Sequence, residues 1–218
     1  VDFNTGHYHG DTYLDILGPY IRAVKKKYGL LIGVQTPPHH DLKRYRALRK
    51  MGVNRVSFCF EIWDREIFAS VCPGKNTHYG LDRYLEAIEY CAGIFNTTNG
   101  EIVAGLEPPE KTIEAIDWIT SAGAVPTVCV FRPLQGTDFE HVPPPKTEDM
   151  IPVFGYLYEA CMSRGLMIGV APNIKVSLVI LPEEGRYFIG DPGRFPLARA
   201  RNALLRPVFS AAFRLGLV

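Results

Sequence analysis

Residues 100–137, GEIVAGLEPPEKTIEAIDWITSAGAVPTVCVFRPLQGT, decide the fold class. An apolar run over Ile102–Leu106 ends at a carboxylate, Glu107. Pro108 and Pro109 then open a helical pattern that runs to Ser121. A second apolar run over Ala124–Phe131 ends at a cation, Arg132. Strand, helix and strand in that order predict a parallel β-α-β unit with a right-handed crossover. Charged strand ends beside Gly and Pro are where parallel α/β proteins place their chemistry, because the loops that follow converge on one face.

The alternation extends in both directions. Asp11–Lys27 predicts a helix with Leu14, Leu17, Ile21 and Val24 on one face. Lys25, Lys26 and Lys27 sit at its C-terminal end, where the helix dipole favours them, and Gly29 follows as a C-cap. Leu30–Gln35 reads as a buried strand stopped by Pro37-Pro38, Asp41–Lys50 as a helix ended by Gly52, and Asn54–Glu61 as the next strand. A long loop containing Cys72-Pro73-Gly74 leads to a helix near Leu81–Phe95. Downstream, the Pro143-Pro144-Pro145 loop leads to a helix near Thr147–Arg164, and Met167–Pro172 and Lys175–Leu181 are weaker strand candidates. Val1-Asp2-Phe3 looks like the end of a strand already under way. The expected architecture for residues 1–181 is α/β, a partial parallel (β/α) barrel of TIM-barrel type, truncated at its N-terminus. A doubly wound open sheet is the alternative.

Residues 182–218 are expected to form a separate basic tail. From Pro192 to Val218 there are five arginines (Arg194, Arg199, Arg201, Arg206, Arg214) and no acid. Ala198–Leu205 and Val208–Leu215 read as helical, with Pro207 as a kink or break. One reading is an anionic partner or a membrane surface. The favoured one is a helix packed over the barrel with its arginines in solvent.

Composition narrows the class. The chain has 218 residues, 47% hydrophobic and 22% charged, with formal net charge +1. That suffices for one sizeable core and argues against general nucleic-acid binding. No apolar run reaches membrane-spanning length and no signal peptide opens the chain, so a cytoplasmic location is expected. Cys59, Cys72, Cys91, Cys129 and Cys161 are scattered without C-x-x-C spacing, which predicts free thiols in a reducing compartment.

In a barrel the strand ends converge on one mouth, where the candidates are Asn4, Thr5, Gln35, Glu61, Glu107 and Arg132. Ser57, Cys59 and Glu61 share one strand face, opposite Val56, Phe58 and Phe60, so Glu61 should point inward. There it forms an internal salt bridge or contacts a ligand. Gly105 beside Glu107 lets backbone approach a ligand closely, and Glu107 either meets that ligand or steadies the next helix N-terminus. Arg132 can hold a carboxylate or phosphate bidentately, or bridge the mouth. His7-Tyr8-His9 and His39-His40-Asp41 follow the first two strands, a pattern that can bind zinc in a barrel hydrolase, although the later strand ends offer no His.

Three of these stretches carry a family resemblance. Gly100–Glu107, GEIVAGLE, is similar to the G-x-I-x-G-x-x-E strand of radical S-adenosylmethionine enzymes, with Ala104 in place of the middle glycine. FRPLQGTDFE (131–140) resembles the P-x-x-G-T segment that ends the next strand in the biotin-synthase-like branch. FEIWDREIFASVCP (60–73) is similar to that branch's loop after its fourth strand. The resemblance covers roughly residues 1–181. It implies that Glu61 lies by the ribose or methionine part of S-adenosylmethionine and the Glu107 strand near the adenine. Asp2–Gly6, DFNTG, falls where the family's turn holds the methionine amino group, but it lacks the acid; Asn4 and Thr5 carry over as positions only.

The resemblance further implies a [4Fe–4S] cluster, an electron donor of the ferredoxin or flavodoxin type, and a 5′-deoxyadenosyl radical that abstracts hydrogen from a small-molecule substrate nearer Arg132. The departure is as clear. The family's C-x3-C-x2-C triplet is absent, as are its first strand, its first helix and most of its second strand. The expectation is therefore the C-terminal part of a longer enzyme, inactive alone. The alternatives are a non-catalytic ligand-binding barrel and a metal-dependent hydrolase using His7 and His9.

Overall fold

A computed structural model describes residues 1–8, 10–170 and 178–214. Five strands, β1 (Asp2–Asn4), β2 (Gly33–Gln35), β3 (Arg55–Glu61), β4 (Thr97–Ala104) and β5 (Val125–Val130), form one parallel sheet in sequence order. Between them lie α1 (Tyr13–Tyr28), α2 (Arg44–Lys50), α3 (Arg65–Val71), α4 (Pro73–His78), α5 (Leu81–Ala92) and α6 (Pro109–Ser121). After β5 come α7 (Thr147–Ser163), a 3-10 helix (Pro182–Phe188) and α8 (Pro196–Arg214). A strand order without reversal puts every right-handed crossover on the same side of the sheet. That is barrel winding, not the doubly wound alternative, which reverses at a switch point. Among the described residues the sheet stays open, with β1 and β5 as its edges.

Strand alternation separates two chemistries. Val34, Val56, Phe58, Phe60, Ile102, Ala104 and Val128 are buried and belong to one core with Tyr13, Ile21, Tyr45, Leu48, Tyr84, Ile88, Ile116 and Ile119 of the helices. Each large apolar side chain buried there contributes about 1.5–3 kcal/mol. The layers approach so closely that a Cβ on Gly100 would lie 2.9 Å from Ile119 Cδ1, so β4 carries a glycine at its contact with α6. The other strand face is polar: Asn4, Gln35, Arg55, Ser57, Cys59, Asn99, Glu101 and Thr127 share it by register.

Several elements differ from the sequence expectation. β4 begins at Thr97, five residues before the predicted Ile102, because Asn99 and Glu101 disguise the inward positions of a strand. The loop expected after β3 contains α3 and α4. Asp64 caps α3 by accepting from the Glu66 and Ile67 amides, and Pro73 opens α4. These two helices of seven and six residues are too short to show a period. α8 runs through Pro207 as one helix, the proline ring fixing a φ that the helix can accommodate. Residues 167–170 and 178–181 are not strands, while 171–172 and 175–177 of the two weak strand candidates lie outside the described residues. All five cysteines are free. No described helix is long and apolar enough to cross a membrane.

Candidate functional site

The C-terminal ends of β1, β2 and β3 open into a cleft of about 310 Å³. It is lined by Asn4, Gly6, His7, Gln35, Thr36, Pro37, Cys59, Glu61, Lys75 and Tyr84. Its size falls within the usual range for small-molecule sites. The strand ends position its polar groups. The Asn4 side chain accepts from the Gly6 amide at 2.7 Å, closing a local turn, and donates through Nδ2 to Gln35 Oε1 at 2.6 Å. Thr5 donates its amide to the Gln35 carbonyl at 3.1 Å and its hydroxyl to the Gly6 carbonyl at 3.2 Å, so it steadies the turn beside the cleft.

Glu61 ends β3 in a left-handed conformation, φ 71°. The register slips there: Cys59 pairs with Glu101 while Glu61 pairs with Ile102. A bulge with a non-glycine residue at positive φ costs on the order of 1–3 kcal/mol and re-aims the side chain. Glu61 is thereby placed against Lys75 of α4, with Nζ to Oε1 at 2.6 Å. Lys75 also donates to the Cys59 carbonyl at 2.7 Å and lies 6.0 Å from the Tyr84 ring centroid. The internal salt bridge weighed for Glu61 therefore exists, and it forms the wall of the cleft.

Beneath the cleft, Glu101 organises the polar face. Its carboxylate accepts from Gln35 Nε2 at 2.6 Å, Cys59 Sγ at 2.8 Å, Arg55 Nη2 at 3.3 Å and the Ser57 hydroxyl. Arg55 reaches on to Asp2 Oδ1 at 3.1 Å and Asn99 Oδ1 at 2.7 Å. Burial, and then the charges of Glu101 and Glu61, push the Cys59 thiol well above its usual range, so it remains a protonated donor. Lys75, Glu101, Arg55 and Asn99 were not foreseen. The available signal was the parity of Asn99 and Glu101 on β4 and of Arg55, Ser57 and Cys59 on β3.

Glu107 lies elsewhere. It is only 6% exposed and does not line the cleft. Its carboxylate accepts from the Trp63 amide at 3.0 Å, the Asp64 amide at 2.9 Å and the Thr112 hydroxyl at 3.4 Å. Burial raises its pKa, and these hydrogen bonds oppose the rise. Glu107 thus ties the turn after β3 to the start of α6. The close approach expected at Gly105 is made by Pro145: a Cβ there would sit 2.5 Å from the proline Cγ. Arg132, beyond β5, is exposed and forms no ion pair with a described residue, so the salt bridge weighed across the mouth is not made.

The histidines divide. His7 lines the cleft, with Nε2 3.1 Å from His78 Nδ1, and His9 lies outside the described residues. His39 is buried and accepts from the Asp41 amide at 2.8 Å; His40 meets Asp11 at 2.9 Å. Among the described residues no group of three or more His, Cys, Asp or Glu is placed to hold a metal ion.

No family model matches the chain. It is 32% identical over 117 residues to bacteriochlorophyllide c C-7(1)-hydroxylase of Chlorobaculum limnaeum, across 52% of this chain and 29% of that protein. The crystal structure of methylornithine synthase superposes on 73% of this chain and 48% of its own, with TM-score 0.58 and 19% identity, which shows a shared fold. The chain therefore spans about three tenths of the first protein's length and about half of the second's. The sequence likeness and the shared fold are in line with the resemblance of the strand-end motifs to radical S-adenosylmethionine enzymes.

Proposed function

We propose that this chain is part of a radical S-adenosylmethionine enzyme and that the cleft at the ends of β1, β2 and β3 holds the cofactor. One observation carries the reading: Asn4, Gln35 and Glu61, from three consecutive parallel strands, line a single cleft. The donor set fits S-adenosylmethionine. An amino-acid zwitterion and a ribose need acceptors for N–H and O–H groups, a cation for the carboxylate, and an apolar wall. Glu61 and the Asn4 and Gln35 amides supply acceptors, Lys75 the cation, and Pro37 and Tyr84 the wall. Thr5 holds the first strand end in register, and Glu107 acts from behind by fixing the turn that follows Glu61. When bound, the cofactor supplies the radical chemistry, and these side chains bind and orient it.

A [4Fe–4S] cluster does not fit the residues present. Cys59 on β3, Cys72 between α3 and α4, Cys91 on α5, Cys129 on β5 and Cys161 on α7 are free and do not gather. In this reading the cluster and its electron donor, of the ferredoxin or flavodoxin type, act on a longer protein, and the chain alone is inactive. Arg132, uncommitted beyond β5, is left to meet an anionic group of a small-molecule substrate. The free thiols suit a reducing, cytoplasmic setting.

Equilibrium dialysis of the purified chain with radiolabelled S-adenosylmethionine tests the cleft. Saturable binding that Gln35→Ala and Glu61→Ala each weaken, and that His141→Ala leaves unchanged, is expected. Absence of binding, or binding insensitive to both cleft substitutions, would sink the proposal.

A further inference from the structure

A second cavity, of about 740 Å³, lies between α7, the 3-10 helix and α8, and shares no lining residue with the strand-end cleft. Close backbone contact holds α7 against the 3-10 helix. A Cβ on Gly185 would lie 2.3 Å from the Phe154 carbonyl oxygen, and one on Gly155 would lie 3.0 Å from that of Phe188. The α8 wall is pinned by Asn202, whose Nδ2 donates to the Ile168 carbonyl at 3.2 Å.

Two residues lining this cavity each carry a buried polar atom with no hydrogen-bond partner among the described residues: the Tyr158 hydroxyl and one carboxylate oxygen of Glu183. Tyr158 is 2% exposed. Such atoms are costly to leave unpaired, and a bound ligand is one way to satisfy them. Three guanidinium groups line the same space. Arg199 spends one donor on the Pro192 carbonyl at 2.9 Å, Arg186 stacks on Tyr187 with 4.5 Å to the ring centroid, and Arg206 is exposed. None forms an ion pair with a described residue, whereas neighbouring Arg194 is paired with Glu159. The other acid at the rim, Glu184, accepts from the Leu181 amide at 2.8 Å. Burial raises the pKa of the Tyr158 hydroxyl, which keeps it a donor, while the charges of Arg199 and Arg186 reach it and oppose the rise.

Guanidinium forks and a tyrosine hydroxyl call for a multiply charged oxyanion, which phosphate supplies better than a single carboxylate. The unpaired Glu183 oxygen calls for an N–H or O–H donor on the same ligand. We propose that this cavity binds a phosphorylated small molecule that also carries an amine or hydroxyl group. Its phosphate meets Arg186, Arg199 and the Tyr158 hydroxyl, and its donor meets Glu183.

Isothermal titration calorimetry with glucosamine 6-phosphate, inorganic phosphate and glucosamine tests this on the intact chain. Glucosamine 6-phosphate should bind more tightly than phosphate, and glucosamine should not bind. Arg199→Ala should weaken both phosphate-bearing probes by about ten- to hundredfold, the range of a charged hydrogen bond. Glu183→Gln should erase the preference for glucosamine 6-phosphate while phosphate still binds. Tyr158→Phe keeps the ring and should weaken binding with the circular-dichroism melt preserved, which separates ligand loss from misfolding. S-Adenosylmethionine binding should be unchanged in all three variants, so the two cavities are tested independently. Failure of both phosphate-bearing probes to bind, or binding indifferent to Arg199→Ala, would overturn the proposal. So would retention on phosphatidylglycerol vesicles without binding of glucosamine 6-phosphate, which would assign the arginines to a lipid surface.

Discussion

Lys75 Nζ meets Glu61 Oε1 at 2.6 Å and so joins α4 to the end of β3 at the wall of the cleft. The pair explains why Glu61 holds a left-handed backbone. The bulge turns its carboxylate toward Lys75 of α4, which holds it there by bonding both the carboxylate and the Cys59 carbonyl.

The two halves of that pair should lose stability non-additively. Lys75→Met leaves a half-buried carboxylate in a strained turn, with a loss of about 1 kcal/mol once solvent screening is allowed for. Glu61→Gln should cost a similar amount, and the double variant less than the sum. Urea titration of the four proteins measures the coupling. Additive losses would show that the two charges do not support each other.

Glu101 should be the most sensitive polar position in the sheet. Glu101→Ala strands four donors, from Gln35, Ser57, Cys59 and Arg55, on a face that is half-buried. A loss of about 2–4 kcal/mol is expected in thermal or urea unfolding. Adding Arg55→Met should recover part of it, because one unpaired charge is then removed.

Glu107 gives a pH signature. Burial raises its folded-state pKa above the usual 4.5, so the folded chain binds the proton more readily than the unfolded chain. Its contribution to stability is then full below the unfolded value and falls as pH rises through the folded value. The stability of the native chain relative to Glu107→Gln should therefore increase as pH is lowered toward 4.5. Parallel urea titrations across that window measure it; an unchanged difference would show that the buried carboxylate is not destabilised in the fold.

The cysteines should behave as separate thiols. Incubation with iron and sulfide should yield no cluster absorbance and no cleavage of S-adenosylmethionine. Cys59 should alkylate slowly at mildly alkaline pH, because burial and the charges of Glu101 and Glu61 keep it protonated. Glu101→Gln should speed its alkylation in peptide mass mapping. Stoichiometric cluster formation would contradict the structural role given to these thiols.

Much of the fold was legible in local pattern. The helix Pro109–Ser121 has the bounds that its proline start and apolar spacing predict, and the strands at Gln35, Glu61 and Val130 end where glycine, proline or charge interrupts them. The site was half legible. Asn4, Gln35 and Glu61 could be named because a parallel sheet brings strand ends together whatever their partners are. Lys75 could not, since α4 is one short turn-rich helix whose place over β3 is set by packing with α3 and α5.

Period and punctuation in the sequence by themselves determined a parallel α/β sheet, its apolar helix-facing side, and the strand ends that carry polar groups, while the strand order in the structure decided for barrel winding. They also determined that five scattered cysteines do not make a cluster motif. Only the tertiary structure decided which polar groups meet. It gave Glu61 to Lys75, Glu107 to the Trp63 and Asp64 amides, and Gln35 to Asn4 and Glu101. It also left Arg132 exposed and set Tyr158 beside unpaired arginines. The physical reason is range. Backbone periodicity is written over a few neighbouring residues, whereas a charge finds its partner through contacts between segments tens of residues apart, which exist only once the chain is packed.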